Sequence, residues 1–88
     1  MVRINSARDL ALVVRERRRR RDMTQEELAR ASGVSRRWLA DLESGKPGAE
    51  VGLVLRTLAA LGLVLDAQPA RADVDLDELL DRHRDPDA

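Results

Sequence analysis

The chain has 88 residues, with 16 Lys and Arg and 16 Asp and Glu, so its formal net charge is zero. It contains no Cys, which excludes a disulfide framework and a thiolate metal site. No apolar run approaches the roughly 20 residues of a membrane span, and no signal-peptide pattern opens the sequence, so we expect a cytoplasmic protein with no membrane partner.

The zero net charge is the sum of two unlike parts. Residues 1–65 carry 13 Lys and Arg against 8 Asp and Glu, whereas residues 66–88 carry 3 against 8. A basic segment suits a polyanionic partner, and a separate acidic segment suits a protein partner or a role in solubility. We therefore predict one folded domain over residues 1–68 and an acidic tail over residues 69–88. Because so small a domain buries a modest share of its surface, a second subunit is expected.

The first predicted helix runs from about Ala7 to Arg21. Ser6 and Asp9 match a capping box, in which side chains bond the free amides of the first turn. Before it, residues 2–4 alternate between apolar and polar, but the run is too brief to assign a strand. The predicted inner face consists of Leu10, Val13 and Val14.

Two short helices joined by a tight turn follow. Thr24 and Glu27 form a capping box for the first of them, and Gly33 ends it because glycine readily adopts a left-handed conformation. Ser35 caps the second helix, which ends at Gly45. A pair of this kind places the end of its second helix in a groove. The predicted inner side chains are Val34, Leu39 and Leu42, and the outer positions are 36, 37, 40, 41 and 44.

A fourth helix is predicted from about Ala49 to Leu61, with Gly62 after its end. Its predicted buried residues are Val51, Leu55 and Leu58. A β-prone run follows over residues 63–68. A lone strand has no ladder to join, so its most economical partner is the same strand of a second copy, with Leu63, Val64 and Leu65 at the contact. The alternative is that this run packs as a loop on the last helix.

The acidic tail offers no catalytic or metal-binding set. Three aspartates, at positions 73, 75 and 77, match the start of a calcium loop, but Glu78 and Arg84 stand where that loop requires Gly and Glu. His83 is the one histidine of the chain, and the serines have no nearby base. We therefore expect no enzyme activity, no metal and no cofactor. The leucines at 76, 79 and 80 have helical spacing, so the tail is predicted to be flexible or to form a short helix over residues 75–84.

The central motifs resemble those of the lambda-repressor/Cro-like, or XRE, helix-turn-helix family. The matching residues are Thr24-Gln25-x-x-Leu28-Ala29, Gly33-Val34-Ser35 and Glu43-x-Gly45. A narrower resemblance to HipB-type antitoxins rests on Ser35-Arg36-Arg37-Trp38-Leu39, Leu42-Glu43-x-Gly45-Lys46-Pro47, Gly52-Leu53-Val54-Leu55 and Leu61-Gly62-Leu63. The resemblance covers about residues 7–67. It implies an all-α fold of four helices, with a short C-terminal β-strand that pairs across a homodimer.

The resemblance also implies a function. HipB-type proteins are small dimeric autorepressors that bind operator DNA and neutralise a HipA-type serine/threonine kinase toxin, which would associate this protein with the nucleoid. Two alternatives are a free-standing XRE-type repressor without a toxin and a protein-only adaptor that acts through the acidic tail. Arg36 and Arg37 disfavour the adaptor.

Residue roles follow from the same resemblance. Arg18 is expected to form a partly buried ion pair with Glu43, and Asp22 stands in a turn where the family often has Gly. Gln25 is expected to contact phosphate. The residues expected to face the DNA are Ser35, Arg36, Arg37 and Asp41.

The chemistry of individual side chains indicates further roles, independently of the resemblance. Arg36 and Arg37 begin the second helix of the pair, where a guanidinium can donate two hydrogen bonds to guanine. Trp38 is predicted to fill the space between the paired helices with its edge near the DNA backbone; the alternative is a purely structural role. Lys46 is either a phosphate contact or a solvated side chain. The arginines at positions 17–21 point around more than one helical turn, so they do not form one patch. Arg17 is expected to lay its stem on the apolar face.

Overall fold

The computed structural model describes residues 2–70 and Leu80. Within residues 2–70 the fold consists of four helices, α1 Ala7–Arg20, α2 Gln25–Ser32, α3 Arg36–Glu43 and α4 Val51–Ala60. This confirms the predicted all-α fold of four helices. Apart from Leu80, the helix predicted over residues 75–84 lies outside the described residues.

The predicted C-terminal strand does not appear in the single chain. Between residues 2 and 70 the structure contains no strand, and residues 63–70 follow α4 without regular secondary structure. A strand requires a partner to complete its ladder of hydrogen bonds, and a single copy offers none beside this segment. Residues 2–5 also have no regular structure.

Side-chain caps begin the first three helices. The hydroxyls of Ser6 and Ser35 accept bonds from the amides of Asp9 and Trp38 at 3.1 and 3.0 Å. Thr24 forms a complete capping box: its hydroxyl accepts from the Glu27 amide, and its amide donates to the Glu27 carboxylate at 2.9 Å.

The capping box also affects the titration of Glu27. The backbone amide of Thr24 contributes most, and its side chain next, to lowering the pKa of the Glu27 carboxyl below its ordinary value. Because the folded-state pKa is lowered, this contribution to stability is present at neutral pH and is lost as the pH falls through the lowered pKa.

The core lies where α2 packs against α4 and α3, and where α1 packs against α3. Its buried residues are Val14, Leu28, Ala29, Leu39, Leu42, Val54, Leu58 and Leu61. The prediction for α4 was wrong at Val51 and Leu55, which are 68% and 45% exposed. Arg56 is the one charged residue of α4, so the helix is apolar on nearly every side and its sequence pattern does not define an inner face.

A contact between α4 and the end of α2 was not predicted. Arg56 donates to the carbonyl oxygens of Ser32 at 3.1 Å and Gly33 at 2.8 Å, which satisfies acceptors that the end of α2 leaves free. Gly33 has φ 70°, and a Cβ at this position would collide with the Arg56 guanidinium. The left-handed conformation therefore favours glycine here, and a Cβ would in addition displace the flexible end of the Arg56 side chain.

The turn after α1 forms with Asp22 in place of glycine. Asp22 has φ 54°, in the left-handed region that Asp tolerates better than most residues.

None of the helices in the described residues is both long and apolar enough to cross a membrane.

Candidate nucleic-acid interface

The first turn of α3 presents two arginines to solvent. Ser35 caps this helix, and Arg36 and Arg37 follow as its first two residues. Arg36 is exposed, and the Arg37 side chain is 89% exposed. The core residues Leu39 and Leu42 anchor α3 in the domain. The two arginine side chains therefore extend into solvent from a helix whose position is fixed. This arrangement suits reading the edges of bases in a groove.

A buried ion pair fixes the far end of α3 to α1. The Arg18 guanidinium binds both carboxylate oxygens of Glu43, with Nε to Oε2 at 2.8 Å and Nη2 to Oε1 at 2.9 Å. Arg18 Nη1 also donates to the Met23 carbonyl at 2.8 Å. The two side chains are 11% and 3% exposed. The hydrogen bonding of Arg18 to the Glu43 carboxylate raises the pKa of Arg18 above its ordinary value, so the guanidinium stays charged.

Gln25 joins this network from the start of α2. Its Nε2 donates to Glu43 Oε1 at 3.2 Å. Glu43 therefore accepts hydrogen bonds from both Arg18 and Gln25, and it connects the first three helices. Gln25 stands at the first position of α2, where the free backbone amides favour an anion. Gln25 was predicted to contact phosphate, and its hydrogen bond to Glu43 was not predicted.

Trp38 and Lys46 flank the exposed arginines in different ways. Trp38 is half-buried and packs against the core of the domain. Lys46 follows α3, and its side chain is 66% exposed. Its amide donates to the Asp41 carbonyl at 3.1 Å, which holds the Lys46 backbone close to the end of α3.

Asp41 lies between two cations on the outer face of α3. One carboxylate oxygen is 4.0 Å from Arg37 Nε, and the other is 3.7 Å from Lys46 Nζ. The Asp41 side chain is 39% exposed. Arg37, Asp41 and Lys46 therefore form a cation–anion–cation row beside the predicted base-reading end of α3.

The arginine run at the end of α1 makes contacts within the chain. Arg17 Nε donates to the Leu61 carbonyl at 3.1 Å, and Arg21 Nη1 lies 3.5 Å from the Ala60 carbonyl. Arg20 pairs loosely with Glu16 at 3.8 Å. The prediction for Arg17 considered its apolar stem and missed its head group, which satisfies a carbonyl at the end of α4. The free carbonyls of every helix end are a signal for such a contact, but sequence alone does not show which arginine reaches them.

The three residues predicted at a dimer contact have different surroundings. Leu63 is partly buried against the core of its own chain, and its amide donates to the Leu58 carbonyl at 2.8 Å. Val64 is 91% exposed and Leu65 is 51% exposed. Leu63 thus completes the end of α4, while Val64 and Leu65 are accessible to a partner.

In the part of the chain that the structure describes, no cluster of His, Cys, Asp or Glu has the arrangement of a metal site.

Comparison with known proteins identifies the class to which this helix arrangement belongs. A family model described as a helix-turn-helix domain matches residues 9–72, which span all of α2, α3 and α4 and most of α1. The chain therefore belongs to this helix-turn-helix domain family.

A relative shares most of the same region. The chain is 42% identical over 64 residues to an uncharacterised HTH-type transcriptional regulator, y4mF, of Sinorhizobium fredii (strain NBRC 101917 / NGR234). The match covers 73% of this chain and 84% of the relative.

Proposed function

We propose that this protein regulates transcription by binding double-stranded DNA in a sequence-specific manner, as a repressor. The observation that carries the proposal is the exposed pair Arg36 and Arg37 on the first turn of α3, the second helix of the helix-turn-helix unit. Membership of the helix-turn-helix family and the similarity to an HTH-type transcriptional regulator support it.

The proposed mode of binding places the start of α3 in the major groove. There Arg36 or Arg37 donates two hydrogen bonds to O6 and N7 of guanine. Gln25 at the start of α2, Ser35 and Trp38 at the start of α3, and Lys46 after its end are the proposed contacts to the phosphate backbone, and the free amides at the two helix starts favour an anion. The Arg18–Glu43 pair holds α3 in place against α1. A helix held in this way cannot shift to form substitute contacts with an incorrect DNA sequence.

We further propose that the protein acts as a homodimer. Exposed apolar side chains support this: Val51 and Leu55 lie one turn apart on the outer face of α4, and Val64 and Leu65 are exposed after the helix. A helix with apolar side chains on both faces is normally covered on both. In the proposed dimer, the run over residues 63–68 pairs with its copy about a two-fold axis, and the operator is consequently a palindrome.

The finer part of the proposal concerns the operon. The HipB-type motifs around α3 support a role as antitoxin and autorepressor of a HipA-like serine/threonine kinase toxin, and the acidic segment over residues 69–88 suits a protein partner. The test is to express the product of the neighbouring reading frame with this protein. Co-purification with a kinase whose activity falls on binding would support the antitoxin role. A neighbouring product that is no kinase, or that does not bind, would favour the free-standing repressor.

Replacement of the two arginines tests the DNA-binding proposal. Arg36→Ala and Arg37→Ala are each expected to weaken binding to a duplex selected from a random library by about tenfold or more, because a bidentate guanine contact contributes roughly 1–3 kcal/mol. At least one variant is also expected to lose preference at a single base pair in each half-site. Titration by fluorescence anisotropy measures both effects.

Arg30→Ala is the matched control for these variants. It removes the same charge from an exposed arginine of α2 that pairs with Glu26 and lies on the α2–α4 side of the molecule. Circular dichroism and sedimentation are expected to show an unchanged fold and assembly for all three variants. If Arg36→Ala and Arg37→Ala both weaken binding equally for selected and random duplexes, the arginines contact phosphate only.

A further inference from the structure

The position of Asp41 within the proposed interface is unexpected for a protein that binds a polyanion. Of the two carboxylates of α3, Glu43 is buried and bound by Arg18, whereas the Asp41 side chain is 39% exposed on the outer face. It lies one turn after Arg37 and within 4.0 Å of that guanidinium. An anion here opposes the approach of every phosphate and competes with DNA for two of the nearby cations.

The stability of α3 does not account for this residue. Asp41 is in the last turn of the helix, where the negative end of the helix dipole disfavours an anion. The pair with Arg37 has the cation on the N-terminal side, which is the less favourable order at a spacing of four residues. Exposed ion pairs such as those with Arg37 and Lys46 contribute little to folding. The carboxylate therefore adds a cost to the helix and a cost to non-specific binding.

A base that donates a hydrogen bond would offset this cost. A carboxylate is an acceptor only, and in the major groove the amino group N4 of cytosine is a donor that Asp and Glu recognise. Adenine also has an amino donor in this groove, N6, but its neighbouring acceptor N7 repels a carboxylate. A duplex with cytosine opposite Asp41 therefore recovers the most free energy. The same charge thus weakens binding to incorrect sequences while it permits binding to the correct one.

We propose that Asp41 is a specificity-determining residue, which accepts a hydrogen bond from a cytosine amino group in each half-site and disfavours duplexes that lack it. The inference rests on the proposed function of sequence-specific DNA binding. It adds discrimination at a cytosine to the discrimination at guanine that Arg36 or Arg37 provides.

The test compares Asp41→Asn and Asp41→Ala with the wild-type protein on two probes. One probe is the duplex that the wild-type protein enriches from a random library, and the other is an unselected duplex of equal length. For both variants, affinity for the unselected duplex is expected to rise about tenfold at low salt, and the ratio of the two affinities to fall by at least tenfold. Repeated selection is expected to lose one cytosine from each half-site with Asp41→Ala, and to admit adenine at that position with Asp41→Asn, whose amide both donates and accepts.

Glu16→Gln is the matched control, because it also removes one exposed negative charge but lies on α1, where it pairs with Arg20. It is expected to change affinity for the two probes by the same factor. An unchanged affinity ratio and an unchanged selected sequence for both Asp41 variants would overturn the inference and leave the proposed function intact. Failure of the wild-type protein to enrich any sequence would instead overturn the proposed function, and this inference with it.

Discussion

Glu43→Ala is expected to lower the free energy of unfolding by about 3–5 kcal/mol, which is a large part of the stability of a domain of this size. The reason is the environment of the partner: Arg18 is 11% exposed and would keep its charge without the carboxylate that binds Nε and Nη2. Gln25 would lose its acceptor as well. Denaturant unfolding followed by circular dichroism measures the change.

Glu26→Ala provides the control for this prediction. Glu26 also pairs with an arginine, Arg30, but at 3.6 Å and with both side chains more than two-thirds exposed. Its removal is expected to cost less than about 1 kcal/mol. An unfolding transition of Glu43→Ala that coincides with that of the wild-type protein would show that the Arg18–Glu43 pair does not stabilise the fold.

Val64→Pro is expected to convert the proposed dimer to a monomer and to reduce operator affinity by about two orders of magnitude or more, because a monomer engages one half-site. Proline removes an amide donor and cannot join the interior of a ladder. Only alternate residues of a strand direct their backbone amides toward a given partner strand. Leu65→Pro is therefore tested as well, so that one of the two variants removes a bonded amide. Sedimentation velocity at micromolar concentration measures the assembly, and anisotropy measures the affinity.

Val64→Ala is the control, since it keeps the amide and removes most of a side chain that is 91% exposed in one copy. It is expected to remain largely dimeric. Leu63 is left unchanged because its amide already bonds the Leu58 carbonyl at the end of α4. Persistence of a dimer in both proline variants would contradict pairing through this segment.

The sequence predicted the helices well because their ends depend on local chemistry. Thr24 with Glu27, and Ser35 with the amide of Trp38, act within three residues of one another, so their roles are visible in the order of residues alone. Gly33 likewise marks the end of α2 through its own backbone conformation. The observed bounds of the four helices therefore differ from the predicted ones by two residues at most.

Contacts between distant parts of the chain were harder to predict from the sequence. Arg17 and Arg56 satisfy carbonyls that lie 44 and 24 residues away, and no spacing in the sequence identifies those acceptors. The pairing of Arg18 with Glu43, 25 residues apart, was expected only from the family resemblance. For α4, a nearly uniform apolar composition concealed which side faces the core, so Val51 and Leu55 were assigned to the wrong face.

The most direct test of sequence-specific binding by a homodimer is selection of duplexes from a random library by the wild-type protein, followed by footprinting and measurement of stoichiometry on the enriched sequence. We predict a palindrome whose half-sites are centred about 34–36 Å apart, or one turn of DNA, with two protein chains bound to each duplex. Enrichment of no sequence, or of a single half-site occupied by one chain, would contradict this function.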